Sequence, residues 1–166
     1  MTVAVTPHRL LGSVSVGDAL EPLNYTVSAT TVVLGALATR DWRPMHHDKD
    51  FAVHRNGTQD IFLNTPNQAA WFERFLTDWS GPHGRLGWVR FRMLGSVFPG
   101  DTMTLSGVVS GVSVDAVGCG LVTVDVSLSV EHDVKTTCTA RVALPVDASD
   151  NPWARRGDRW VPGPPA

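Results

Sequence analysis

At 166 residues, with 43% of positions hydrophobic and 18% charged, the chain has the material for one globular domain with a packed core. Its formal net charge of -2, with Lys and Arg scattered along the chain, excludes the basic footprint that nucleic acid or an anionic membrane surface demands. No apolar run is long enough to span a bilayer, and the N-terminal MTVAVTPHRLLGSVSVGD lacks the basic and apolar regions of a secretion signal, so the sequence predicts a cytoplasmic protein acting on a small molecule.

The pattern from Tyr25 to Ala29 suits a short strand, after which Thr30 or Thr31 can cap a helix that carries Val33, Leu34 and Leu37 toward a core and ends near Thr39. Pro44 disfavours helix at Arg43, so Asp41 to His47 is expected to be an extended or turning loop, where groups that meet a ligand usually sit. Asp48 then caps a short helical turn through Phe51 and Ala52, closed by Asn56-Gly57.

Thr65-Pro66-Asn67-Gln68 has the form of a capping box: an N-cap Thr, a Pro at the first helical position and a Gln three residues on. The helix it opens carries Ala69, Ala70, Trp71, Phe72, Phe75, Leu76 and Trp79 around well over half its circumference and must be wrapped by other structure. Arg74 and Asp78 lie four apart on the remaining polar strip, and Glu73 belongs to similar surface charge.

Past Ser80-Gly81-Pro82 the period becomes two. Val89, Phe91 and Met93 share one face of a strand, and Trp88, Arg90 and Arg92 share the other. After the turn at Pro99-Gly100-Asp101 a second strand covers about Thr102 to Val109. A third has Val122, Val124, Val126, Leu128 and Val130 facing in, and a last runs from Thr136 to Leu144. Cys119 and Cys138 lack metal-ligand spacing and read as small buried hydrophobes. Beyond Pro145 a Pro- and Trp-rich tail has no periodicity, so residues 1–145 form the predicted domain and 146–166 an extension on the surface or against a partner.

Long antiparallel strands with one apolar face, preceded by one largely apolar helix, describe an α+β hot-dog fold, a curved sheet wrapped around a helix. Edge strands of such a sheet usually pair with a second copy, so a dimer is the minimum expected assembly.

The informative segment is Asp41-Trp42-Arg43-Pro44-Met45-His46-His47-Asp48, followed by Ala52. Asp41, Pro44, Met45, His46, Asp48 and Ala52 resemble the signature of the MaoC-like, (R)-specific enoyl-CoA hydratases, with Val16-Gly17-Asp18 and Phe98-Pro99-Gly100-Asp101 in matching places. Asp60-Ile61-Phe62, Trp71-Phe72-Glu73-Arg74-Phe75 and Thr77-Asp78-Trp79 further resemble the short single-hot-dog subunits of actinobacterial steroid side-chain degradation. The resemblance implies a lyase that hydrates an enoyl thioester or dehydrates a 3-hydroxyacyl thioester. Coenzyme A would enter as part of the substrate, without a further cofactor, and the subunit would be a homodimer or pair with another hot-dog chain.

A carboxylate and an imidazole sharing one water suffice for such chemistry, one activating the water and the pair serving the alpha carbon. By the resemblance Asp41 is the principal base and His46 its water-positioning partner. The start of the central helix, with Asn64, Thr65 and Asn67 as candidates, would polarise the thioester carbonyl through unpaired N–H groups and the helix dipole. Three departures from the family pattern stand out: Asn64-Thr65-Pro66 where a Gly is usual, Arg43 in place of Asn, and Arg40 in place of Gly. Arg43 could admit a charged group of the substrate, and Arg90 and Arg92 either meet coenzyme A phosphates or form a solvated face.

Other readings compete. His47 reads as structural and Asp48 as an N-cap, and three neighbours His46, His47 and Asp48 on one loop seldom converge on one ion, so no metal is expected. A hot-dog thioesterase would place its carboxylate on the central helix, at Glu73, and a non-catalytic subunit would bind acyl groups or complete a partner's pocket.

Overall fold

A computed structural model describes residues 9–164, so the reading of residues 1–8 and of Pro165 falls outside the described residues. Five strands form one antiparallel sheet: β1 (Ala19–Thr26), β2 (Arg85–Met93), β3 (Thr102–Val114), β4 (Gly120–Val130) and β5 (Asp133–Leu144), in the order β1-β3-β4-β5-β2. Among the described residues three α-helices accompany it: α1 (Ala29–Ala38), α2 (Lys49–His54) and α3 (Thr65–Ser80). Register shifts interrupt all four ladders, between Leu20 and Leu23, Leu86 and Trp88, Val109 and Gly111, and Leu128 and Ser129. Such bulges bend and twist strands, and here the inner face meets α3.

Helix α3 packs its Phe72, Phe75 and Leu76 side on that face with Leu105, Val124, Val126 and Ala140. Phe72 meets Phe91 of β2 edge-on, ring centroids 5.3 Å apart. Contact is close because β3 offers a glycine: a Cβ on Gly107 would stand 3.1 Å from the Phe75 ring. Wrapping is incomplete, however. Trp71 and Trp79 are half-buried and Ala70 is exposed, so in the single chain one flank of α3 faces a groove shared with Tyr25, Leu34 and Gly35.

Several boundaries move from their expected places. The first strand starts earlier, at Ala19, and lies at the sheet edge, where the Pro22 that hides it from a propensity reading is tolerated beside the bulge. Ser28 rather than Thr30 or Thr31 caps α1, its hydroxyl accepting from Thr31 N–H at 3.0 Å. The buried face of α1 is Val32 and Ala36, whereas Leu34 and Leu37 are exposed. Small residues decide this: a Cβ on Gly35 would lie 1.8 Å from Asn67 Nδ2, so α1 crosses α3 on its glycine side. The cap of α3 is Asn64, one residue ahead of the expected Thr65.

The segment after β5 turns back over the outer face of the sheet. Trp153 Nε1 donates to Gly84 O at 3.0 Å, the Arg85 guanidinium sits 3.6 Å over the Trp160 ring, and Arg141 donates to Gly163 O at 3.0 Å. Buried Arg155 ties the tail to the β3–β4 turn through Val117 O and Gly118 O. Trp160 thereby covers a small cluster of Cys119, Leu121 and Ala143, and both Cys119 and Cys138 are buried free thiols.

Candidate active site

The loop that carries the candidate acid and base is set by how α1 ends. Arg40 N–H bonds Leu37 O at 3.1 Å and Asp41 N–H bonds Ala36 O at 2.9 Å, the paired bonds of a Schellman stop, with Arg40 in the left-handed region at φ 55. Glycine is the ordinary occupant of that conformation because a side chain strains it, which is the backbone reason a Gly is usual before the Asp. The stop turns Asp41 toward the first residues of α3, and a single turn of tighter helix, Pro44–His46, brings His46 back to face it.

Asp41 and His46 converge: His46 Nε2 lies 3.5 Å from Asp41 Oδ2, with the side chains 2% and 10% exposed. His46 Nδ1 is 2.8 Å from Phe62 O, and a carbonyl only accepts, so Nδ1 carries the proton. In the neutral ring this leaves a lone pair on Nε2, which has no hydrogen-bond partner among the described residues. A buried acceptor left unpaired costs about 1 to 3 kcal/mol, so an aimed and unsatisfied Nε2 marks a place built for a donor. Phe62 also meets the His46 ring edge-on at 4.8 Å, fixing its plane.

Asn64 joins the pair to the central helix. Its Oδ1 accepts from Asn67 N–H at 3.2 Å as the cap of α3, and its Nδ2 donates to Thr39 Oγ1 at 2.8 Å and Asp41 Oδ2 at 3.0 Å. Arg43 covers the other side of the carboxylate, Nε donating to Asp41 Oδ1 and Nη2 to Oδ2, both at 2.8 Å. The Arg43 guanidinium, opposed by burial and helped by Asn64, holds the Asp41 carboxyl well below the usual carboxylate range.

A cavity of about 310 Å³ opens beside the pair, lined on one side by Arg43, Met45 and His46, on another by Asn64, Thr65 and Gln68, and closed by Met93 at the end of β2 with Leu94, Gly95 and Ser96 after it. Of the helix-start candidates, Asn64 has committed both ends of its amide, and Asn67 is buried and spends its Nδ2 on Thr31 O at 3.2 Å. Thr65 lines the cavity at the first helical position, where its N–H cannot bond within the helix, while Pro66 has no N–H. Gln68 was legible only as half of a capping box. In the structure it lines the cavity and its Oε1 accepts from Thr136 Oγ1 at 2.7 Å.

The remaining candidates lie elsewhere. Arg90 and Arg92 are exposed on the outer face of β2 and do not line this cavity. Glu73 is exposed on α3, also outside it. His47 Nε2 is 3.3 Å from Trp42 O, and Asp48 caps α2 by accepting from Phe51 N–H at 3.0 Å, so the three neighbours His46, His47 and Asp48 bond in three directions.

No protein-family model matches the chain. It is 39% identical over 111 residues to the 3-oxo-4,17-pregnadiene-20-carboxyl-CoA hydratase beta subunit of Mycobacterium tuberculosis, spanning 67% of this chain and 81% of that subunit. Among solved structures it superposes on a chain of the ChsH1-ChsH2 complex from Mycobacterium tuberculosis with TM-score 0.72 and 34% identity, over 78% of this chain and 98% of that one. It superposes equally well, at TM-score 0.72 but 22% identity, on the (R)-hydratase from A. caviae involved in PHA biosynthesis, over 80% of this chain and 98% of that one, a likeness that shows the fold alone.

The chain has the hot-dog fold and belongs to the MaoC-like hydratase and dehydratase family. Within that family it is similar to a hydratase beta subunit, and to a chain solved in complex with a second subunit.

Proposed function

We propose that this subunit hydrates an enoyl-CoA thioester, or dehydrates the corresponding 3-hydroxyacyl thioester, through one water held between Asp41 and His46. The observation that carries this reading is the buried Nε2 of His46, without a hydrogen-bond partner among the described residues and 3.5 Å from Asp41 Oδ2 at the wall of the cavity. With a lone pair free on Asp41 Oδ2, two acceptors at that separation can each take one O–H of a single water, which leaves the oxygen lone pairs free to attack.

As the oxygen bonds to the beta carbon, the water gives a proton to the Asp41–His46 pair, and the pair returns a proton to the alpha carbon. OH and H are thereby added across the double bond, and the pair ends as it began. The Phe62 carbonyl keeps the His46 tautomer correct throughout. Thr65 N–H, at the positive end of α3, is the donor best placed to face a developing enolate.

The substrate class follows the relative: a bulky steroid-derived enoyl-CoA, with coenzyme A as part of the substrate and a second hot-dog chain as partner. Turnover of 3-oxo-4,17-pregnadiene-20-carboxyl-CoA and of crotonyl-CoA by the full chain, alone and with a co-expressed partner, tests this. Replacing Asp41 by Asn is expected to lower kcat by about 10² to 10⁴ with the fold intact. Full activity in that variant removes Asp41 as the base.

A further inference from the structure

The Asp41 carboxylate is saturated. A carboxylate offers about four acceptor positions, and on Asp41 they are taken by Arg43 Nε at 2.8 Å and Arg43 N–H at 3.4 Å on Oδ1, with Arg43 Nη2 at 2.8 Å and Asn64 Nδ2 at 3.0 Å on Oδ2. No lone pair remains to receive a proton from water, and Asp41 is absent from the residues that line the cavity, whereas Arg43 is present. The two side-chain partners differ in freedom. Asn64 is buried, caps α3 and holds Thr39, while the Arg43 side chain is 61% exposed at the cavity mouth and has no other partner among the described residues than Asp41.

We propose that Arg43 is a removable cap on Asp41, closing the base in the free subunit and swinging off it when the thioester enters the cavity. The inference rests on the hydratase reading and adds to it how the site is switched on. With Arg43 displaced, both carboxylate oxygens regain lone pairs, yet Asn64 still holds Oδ2 beside His46 Nε2, so the base is released in register with its partner. The charged and titratable groups facing Asp41 are Arg43 from its own loop and His46 from the following turn, and the start of α3 presents only the neutral Asn64. An anion that exchanges onto the freed guanidinium is the natural trigger, and the phosphates of a coenzyme A or carrier arm have that chemistry.

The test uses the full chain with its partner subunit and crotonyl-CoA as probe, comparing wild type, Arg43→Asn and Arg43→Lys. In the wild type, Asp41 is saturated and its carboxyl carbon, followed by NMR, stays ionised through the usual carboxylate range. In Arg43→Asn its midpoint is expected to rise toward the ordinary carboxylate range, the acid limb of kcat/KM is expected to move up with it, and kcat/KM at neutral pH, which includes the cost of lifting Arg43, to rise at least threefold. Arg43→Lys, with one point charge and no fork, should fall between the two.

A tenfold or greater loss of kcat in Arg43→Asn with the acid limb unmoved overturns the cap and makes Arg43 a binding or structural residue. Asp41→Asn separates the two ideas. If that variant is inactive while Arg43→Asn leaves the carboxyl titration and pH profile of wild type, the cap fails and the hydratase reading stands. If Asp41→Asn is fully active, both fail together.

Discussion

Replacing Asn64 by Ala tests the claim that one amide ties the helix to the acid/base pair. The substitution removes the N-cap of α3, worth about 1 kcal/mol, a buried bond to Thr39 of about 1 kcal/mol, and a charge-assisted bond to Asp41 of about 2 kcal/mol. Thr39 retains Gly35 O and Asp41 retains Arg43, so part of the last two losses is recovered and about 3 kcal/mol is the expected net. For a chain of 166 residues with about 2 cal/mol/K of unfolding entropy per residue, that lowers Tm by roughly 9 °C. Asn64→Ser keeps the cap and loses only the donors, so it should fall about 2 kcal/mol. Urea unfolding of wild type and the two variants measures all three stabilities. Equal losses in Ala and Ser, or a loss below about 1 kcal/mol in Ala, would refute the reasoning.

Arg40→Gly relieves the left-handed residue at the Schellman stop and is expected to raise stability by about 0.5 to 1 kcal/mol in the same assay. Gly35→Ala, ordinarily favourable inside a helix by about 1 kcal/mol, should here cost 2 kcal/mol or more because the added methyl meets Asn67 Nδ2 at 1.8 Å and breaks its bond to Thr31 O. Asp41 has a folded carboxyl pKa below its unfolded value of about 3.9, so its stabilisation is complete above about pH 4 and is lost as pH falls through the folded value. Asp60, lowered by Lys49, has the same sign. Circular dichroism from pH 6 to pH 2 should therefore show Arg43→Asn unfolding at a higher pH than wild type. Burial pushes the Cys138 thiol up to about 12 and raises Cys119 as well, so neither should react with a disulfide reagent at pH 8 until urea exposes them.

Strong local signals read true. The Asp48 cap and the start of α3 within one residue were both legible, and so was the inward face of β4 at Val122, Val124, Val126 and Leu128, because each rests on chemistry within a few positions. The face of α1 was misread, since its apolar residues nearly encircle it and only the tertiary fit of Gly35 against Asn67 chooses Val32 and Ala36. At the site, the family resemblance picked out Asp41 and His46, whose side chains lie 3.5 Å apart. Residue types alone could not show that Asn64 spends its amide on Asp41 and Thr39, or that Gln68 lines the cavity, because these are contacts across 23 to 25 and more residues of chain decided by three-dimensional packing, while the closure of Arg43 on Asp41, two residues away, depends on loop dihedrals that residue types do not set. The tail had no periodicity to read because it is held by short turns within itself and by single bonds to the sheet, not by a repeating ladder.

That tail also roofs a part of the sheet that the strands leave open. All five strands are complete by Leu144, whereas the indole that shields Cys119, Leu121 and Ala143 belongs to Trp160. Removing the tail would therefore leave the ladder whole while an oily spot with a thiol in it faces solvent or a neighbouring chain. A product terminated before Asn151 would wear that spot permanently, as a well-formed sheet prone to clump.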